Sequence, residues 1–375
     1  MFFYLTPLYV LISIAFSYVA VNYDIIVTPF SYNTKVSIEQ LNEVVFLLIF
    51  CLVFYCFGYV SFYRNHSSVL EKSIKVKKKR IGLIVNRRWF YALFYLFSLF
   101  LFFLLIVIDK YNDGVVYVTI NDRFFESKIS QFSLLSVVFV LIYSSRNIGF
   151  FHIIITILIS FFFAWFDSSR SAVIPISGLL IGFLIQRKYG KCAFSFLLLC
   201  FVYFFALESR QLYYKFDIDS FFNLFEVILK DISHVFLTQI GYVTSFSVLH
   251  FVYVNNIDKG VYEIADLIYS LSPLPASFMP FIQVDTDNWR IDSFRVIGGM
   301  GEVYRVSPFL LPVFYFFLGM LAKRISISKS VFISYFCALI LFMSIIVFFQ
   351  YSLRATHWFW ILILMLLYFE KKVKV

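Results

Sequence analysis

The chain has 375 residues, of which 61% are hydrophobic, 22% aromatic and only 14% charged, with a net charge of +10. Soluble domains average about 45–50% apolar and about 25% charged residues. This composition and a mean hydropathy of +0.86 exclude a soluble enzyme, a disordered chain and a nucleic-acid-binding domain, and leave a polytopic membrane protein.

A bilayer core of about 30 Å needs about 20 apolar residues per helix. Runs of that kind cover 2–21, 44–63, 89–108, 130–145, 148–166, 171–186, 192–207, 306–322, 331–349 and 353–369. The expectation is an all-α polytopic protein of ten spans. Seven N-terminal spans fill 1–207, a long extracytoplasmic segment covers 208–305, and three C-terminal spans fill 306–375. Met1 to Val21 carries no basic n-region and no Ala-x-Ala site, so it reads as an uncleaved first span. The 52 Phe and 26 Tyr read as mostly lipid-facing bulk. Cys51, Cys56, Cys192, Cys200 and Cys337 all fall in or beside apolar runs and read as small apolar residues.

Charge gives the expected orientation. Segment 64–88 holds nine Lys/Arg, including Lys77-Lys78-Lys79-Arg80, against the single acid Glu71. By the positive-inside rule it is cytoplasmic. Arg146, then Arg187, Lys188 and Lys191, then Lys323, Arg324 and Lys329, then the tail Lys371, Lys372 and Lys374 fall on the same side. The inside then carries 19 basic and 2 acidic residues, the outside 13 basic and 20 acidic. Both termini are expected in the cytoplasm, with 72–80 as an anchor near anionic lipid.

Segment 208–305 is no polar linker. Val235–Val254 and Ala265–Ile282 are apolar, and the first also carries Thr238, Gln239, Thr244, Ser245, Ser247 and His250. It reads as a surface helix, a re-entrant element or a span. If both stretches cross, the count becomes twelve. Pro273, Pro275 and Pro280 break the second, which favours ten. No internal repeat is apparent, which counts against many transporter folds.

The spans are nearly free of ionisable groups, with His152 the exception, read as a satisfied interhelical histidine. A proton or ion pump would carry acids or bases near the midplane. Here the unusual charges gather outside. Arg170 follows Asp167-Ser168-Ser169, Glu208 and Arg210 follow the seventh span, and Arg290, Arg295 and Arg305 surround Gly298-Gly299-Met300-Gly301. Arg354 and His357, three residues apart, share a helix face. Arginine's planar fork grips phosphate oxygens with two hydrogen bonds, so several of these side chains suit an anionic head group, above all a pyrophosphate. The alternative is that each pairs with a nearby acid or stands as a solvated loop charge. Gly299 and Gly301 allow close backbone approach and expose amides that hold an anion, or else form a flexible loop entering a helix near Ser307-Pro308. The acid–base candidates are Glu208, Asp217, Asp219, Asp285, Asp287, Asp292, Glu302, His234, His250 and His357, and no spacing ranks them. Glu302 reads as a base or as the ion-pair partner of Arg305. No metal-ligand, glycosyltransferase Asp-x-Asp or nucleophile-elbow pattern occurs, so neither a metal nor another cofactor is expected.

The pattern resembles the O-antigen and capsule repeat-unit polymerases, the Wzy-type oligosaccharide polymerases. The resemblance rests on Asp167-Ser-Ser-Arg170-Ser before a helix with Pro175, and on Glu208-Ser-Arg210 opening a long outer segment. It rests also on Arg290-Ile-Asp-Ser-Phe-Arg295-Val-Ile-Gly-Gly-Met-Gly301-Glu302-Val-Tyr304, whose Arg290 and Gly301 match an Arg-x10-Gly spacing of such enzymes. It implies a metal-independent membrane glycosyltransferase that joins undecaprenyl-pyrophosphate-linked oligosaccharides at the outer face of the bacterial cytoplasmic membrane. Arg210, Arg290, Glu302 and His250 would be catalytic. Arg170, Arg295, Arg305, Gly299, Gly301, Arg354 and His357 would bind substrate. Partners would be the lipid-linked oligosaccharides, the lipid bilayer and a chain-length regulator protein, with no nucleic acid. The alternatives are an O-antigen ligase, a flippase or transporter of the lipid-linked unit, and a membrane acyltransferase, for which His152 is the only intramembrane histidine.

Overall fold

The computed structural model describes residues 2–23, 35–61, 150–166, 173–209, 218–230, 232–256, 263–272, 298–328, 330–350 and 353–372. Every regular element among them is helical: α1 Leu5–Asn22, α2 Ile38–Ser61, α3 Phe150–Phe166, α4 Ile174–Ile185, α5 Tyr189–Glu208, α6 Ile218–Lys230, α7 Ile232–Asn255, α8 Ile264–Leu271, α9 Gly299–Val306, α10 Leu310–Ser326, α11 Val331–Gln350 and α12 Leu353–Lys372. The chain divides into two compact units, Met1–Lys75 with Leu237–Val375, and Val76–Phe236.

Three described helices are long and apolar enough to cross a membrane: α1, α2 and the Tyr189–Ala206 stretch of α5. Shorter apolar stretches lie in α4, α11 and α12. The protein is therefore helical and membrane-type. The expected spans at 89–108 and 130–145 lie outside the described residues, as does the basic block at 72–80. The segment expected as one long outer connection contains helices α6 to α9.

In the larger unit the sequence sets the helix ends locally. Ser37 and Gln40 form a reciprocal cap: Ser37 Oγ accepts the Gln40 N–H at 3.2 Å and Gln40 Oε1 accepts the Ser37 N–H at 3.0 Å. Two orphan donors are thus satisfied, and α2 starts six residues before the expected apolar run. Among the described residues, α2 and α10 form the most extensive helix pair. Gly58 faces the Phe316 carbonyl and Gly319 faces the Tyr55 carbonyl so closely that a Cβ at either would overlap the opposite backbone. Small residues permit such contact, and in lipid, where apolar surface gains nothing by leaving the solvent, that packing is what joins helices.

Polar side chains add links between helices. Tyr9 OH and Ser247 Oγ lie 2.8 Å apart between α1 and α7, and Trp360 Nε1 donates to Ser344 Oγ at 3.0 Å between α12 and α11. At the start of α11, Glu370 Oε1 accepts the Ser330 N–H at 2.6 Å, and the Ser328 hydroxyl lies within 2.9 Å of both carboxylate oxygens. Of the cysteines, Cys51, Cys192 and Cys337 are buried, Cys200 is half-buried and Cys56 is exposed; all five are free thiols.

The smaller unit gathers α3, α4, α5 and α6 around Ile176, Leu179, Phe183, Val202, Phe205, Leu224 and Ile228. Pro175 stands in the first turn of α4, where its missing N–H costs nothing. The helix ends with Lys188 N–H bonded to the Phe183 carbonyl at 2.9 Å and Arg187 N–H to the Leu184 carbonyl at 3.0 Å. Arg187 takes φ 58 there, so this is a Schellman closure with arginine where glycine is usual. The turn brings α5 straight back along α4.

Candidate functional site

The glycine cluster does not form a loop. Gly299–Val306 is a helix, α9, with Gly298 as its N-cap at φ 83. Glu302 N–H bonds to the Gly298 carbonyl at 3.0 Å, closing the first turn. The expected start near Ser307-Pro308 is instead a turn, with the Leu310 N–H on the Ser307 carbonyl at 3.0 Å, and α10 begins at Leu310.

Gly298 and Gly299 are required by close packing. A Cβ on Gly298 would stand 2.5 Å from the Phe349 carbonyl oxygen and 3.5 Å from His250 Cδ2. A Cβ on Gly299 would stand 2.7 Å from the Phe348 ring and 3.1 Å from Leu353 Cα. The first turn of α9 is thus wedged against the end of α11, the start of α12 and His250 of α7. Gly298, Gly299, Met300, Gly301, Glu302 and Val303 are all buried.

Glu302 is the chemically distinctive residue. It is 2% exposed. Its Oε2 accepts the N–H of Leu353, the first residue of α12, at 3.1 Å. That amide has no partner within its own helix, and a carboxylate at a helix N-terminus meets a favourable dipole. Oε1 has no hydrogen-bond partner. Burial is the main cause of a carboxyl pKa pushed up to about 8. The Leu353 amide and the Ser270 hydroxyl of α8 oppose that rise, and the Asp266 carboxylate adds to it. At neutral pH this side chain therefore holds its proton, which a surface glutamate has lost.

Glu302 does not pair with Arg305. The arginine turns to the end of α7 instead, where its Nη2 donates to the Val254 carbonyl at 2.9 Å. A cation on the last carbonyls of a helix complements its dipole. His250 and His357 are each 2% exposed, the latter with its ring 5.0 Å from that of Trp358. Arg354 lies in the first turn of α12.

Glu302, Gly299, Gly301, Arg305, His250, His357 and Arg354 therefore all lie in the larger unit. Glu302 itself links the glycine cluster to the helix that carries Arg354 and His357. Arg170, Arg210, Arg290 and Arg295 lie outside the described residues, as do Asp217, Asp285, Asp287 and Asp292. His152 and His234 stand on α3 and α7, and their side chains lie outside the described set. No cluster of three metal-ligating side chains occurs among the described residues.

Sequence reasoning missed α8. Glu263 and Asp266 cap it, with the Glu263 N–H on Asp266 Oδ2 at 3.0 Å, and it delivers buried Ser270 to the neighbourhood of Glu302. The Glu-x-x-Asp spacing was the available signal. Compared with family models, curated proteins and solved structures, the chain matches none.

Proposed function

We propose that this protein is a membrane glycosyltransferase of the repeat-unit polymerase type. It transfers a growing glycan from undecaprenyl pyrophosphate to the terminal sugar of a second lipid-linked repeat unit. The reading places the chemistry at the outer face of a bacterial cytoplasmic membrane, in a ten-span chain with both termini inside and 208–305 outside.

One observation carries the reading. The turn Gly298–Glu302 lies against His250 of one distant segment and Leu353 of another, and its Glu302 is a buried carboxyl that holds the Leu353 amide and keeps a spare oxygen. An acid–base group with a pKa near the operating pH suits deprotonation of an acceptor hydroxyl as it attacks an anomeric carbon. Breaking the glycosyl–phosphate bond places negative charge on the departing pyrophosphate. Preorganised arginines stabilise that charge more in the transition state than in the ground state. Arg210 and Arg290 take that role in this reading, with Arg170, Arg295, Arg305 and Arg354 binding the head group. Because the pyrophosphate linkage is already activated, the reaction needs no nucleotide or metal.

The test uses purified full-length protein in vesicles with synthetic lipid-linked repeat units. The parent should produce a ladder of polymer. Arg210→Ala and Arg290→Ala should abolish it, and Arg→Lys at either position should also fail, because lysine keeps the charge but loses the two-pronged geometry. Wild-type chain lengths in both alanine variants would remove the arginine role. A parent that makes no ladder, yet transfers glycan to a lipid A core acceptor, is a ligase.

A further inference from the structure

Helix α6, Ile218–Lys230, packs one face onto the end of α5. Leu224 and Ile228 are buried, and the Phe225 ring lies 5.5 and 6.2 Å from those of Phe201 and Phe205, in the last two turns of that helix. Because α5 contains a membrane-length apolar stretch, packing against its end sets α6 at the depth where a bilayer gives way to water.

The exposed side of α6 is divided. At about 100° per residue, Asp219, Asn223, Glu226 and Lys230 fall within an arc of about 60°. All four are exposed, and Glu226 and Lys230 form an ion pair at 2.6 Å. Apolar residues flank this stripe on both sides. Phe222 and Leu229, 63% and 57% exposed, lie on one flank, and Val227, 55% exposed, lies on the other. A surface helix of a soluble protein typically turns a broad charged and polar face to water. Here water is offered a narrow polar stripe only.

We propose that α6 lies in the plane of the membrane surface, sunk to its polar stripe in the boundary between head groups and acyl chains. Lipid fits this surface better than a protein partner does. The two apolar flanks point in nearly opposite directions with charges between them, so one flat partner covers a single flank. Lipid surrounds the helix on both. The stripe and its flanks carry two acids and one base, so insertion rests on apolar contact and not on attraction to anionic lipid. The inference rests on the membrane character of the chain and is independent of the glycosyl-transfer reading.

The experiment places nitroxide labels on the full chain in phosphatidylcholine vesicles. Cys56 and Cys200 are replaced by alanine, and the buried Cys51, Cys192 and Cys337 stay. Labels at Val227→Cys and Leu229→Cys should collide severalfold more with oxygen, which concentrates in lipid, than with a water-soluble nickel chelate. A label at Asn223→Cys should show the reverse preference. If a labelled protein elutes unlike its parent, Phe222→Cys reports the Leu229 flank in its place, and Glu226→Cys the stripe. Nickel-favoured collisions at either flank mean water there, and protection from both probes means a protein cover. Either result overturns the proposal.

Discussion

Two helix starts in the larger unit are each held by a glutamate from a distant part of the chain. Glu370 serves α11 and Glu302 serves α12. Glu370 is half-buried, and both its oxygens are engaged by Ser328 and Ser330. Glu302 is almost fully enclosed, holds one amide, feels the Ser270 hydroxyl, and leaves Oε1 without a hydrogen bond. A carboxylate whose only task is to cap a helix is best served by the first arrangement, because every lone pair left dry costs free energy. The second arrangement carries that cost and raises the carboxyl pKa to about 8. Buried polar groups left partly satisfied mark strain or function more often than stability alone. The comparison separates a cap whose carboxylate is fully engaged from one that keeps a buried oxygen to spare.

The largest effect should come from prising open the Glu302 end. Gly298 sits at φ 83 with no room for a Cβ beside the Phe349 carbonyl. Gly298→Val therefore adds left-handed strain of about 1–2 kcal/mol to overpacking of about 1–3 kcal/mol. Gly299→Val drives into Phe348 and Leu353 with overpacking of about 1–3 kcal/mol. Thermal unfolding in detergent should show Gly298→Val as the more damaging. A loss below about 1 kcal/mol in both would mean that α9 does not press on α11 and α12 as described.

The second effect is a pH dependence that belongs to one end. The Glu302 carboxyl has a folded-state pKa near 8, against an ordinary value of 4.5. Between those values the folded state holds a proton that the unfolded state has released. Stability should therefore be fullest below about pH 4.5 and should fall as pH rises towards 8. One such proton contributes a slope of about 1.4 kcal/mol per pH unit. Glu302→Gln keeps an acceptor for the Leu353 amide but has nothing to ionise. Its unfolding temperature, relative to that of the parent, should rise across that window. Parallel curves for the two proteins would show that Glu302 does not titrate there.

How much of this could be read beforehand depends on range. The apolar runs announced α1, α2, α5, α11 and α12, because a span is a local property of about 20 residues. The run 171–186 likewise announced α4, whose first turn holds Pro175. The glycine cluster was the informative failure. Three glycines in four residues argue against a helix by about 1 kcal/mol each, and the two readings open were an anion-holding backbone and a flexible loop. Tertiary packing overrides that preference, since Phe348, Phe349 and Leu353 leave no room for side chains at Gly298 and Gly299. Glu302 was singled out from its position beside the glycines, but not its partner. The Leu353 amide lies 51 residues away in sequence, and no local pattern encodes that meeting. Arg305 shows the same limit. Proximity in sequence suggested Glu302, whereas the fold supplied the Val254 carbonyl.

The smallest effect should come from removing the other cap. Glu370→Ala deprives the Ser330 N–H and the Ser328 hydroxyl of their acceptor at the start of α11. Both donors lie in a half-buried region, and water can take the place of the lost carboxylate. A lost cap costs about 0.5–2 kcal/mol, and water at the vacated position places this one near the lower bound. The Ser330 hydroxyl still accepts the Ile333 N–H at 3.3 Å, so the first turn keeps a second anchor. Glu302→Ala differs in both respects. It leaves the Leu353 amide without its acceptor in a buried site and opens a void there. The loss in unfolding free energy should therefore be larger for Glu302→Ala than for Glu370→Ala when both are measured below about pH 4.5, where Glu302 is protonated in the folded and the unfolded state alike and its own ionisation does not contribute. Equal losses would mean that the two caps work alike, and the distinction drawn from the spare oxygen of Glu302 would fall.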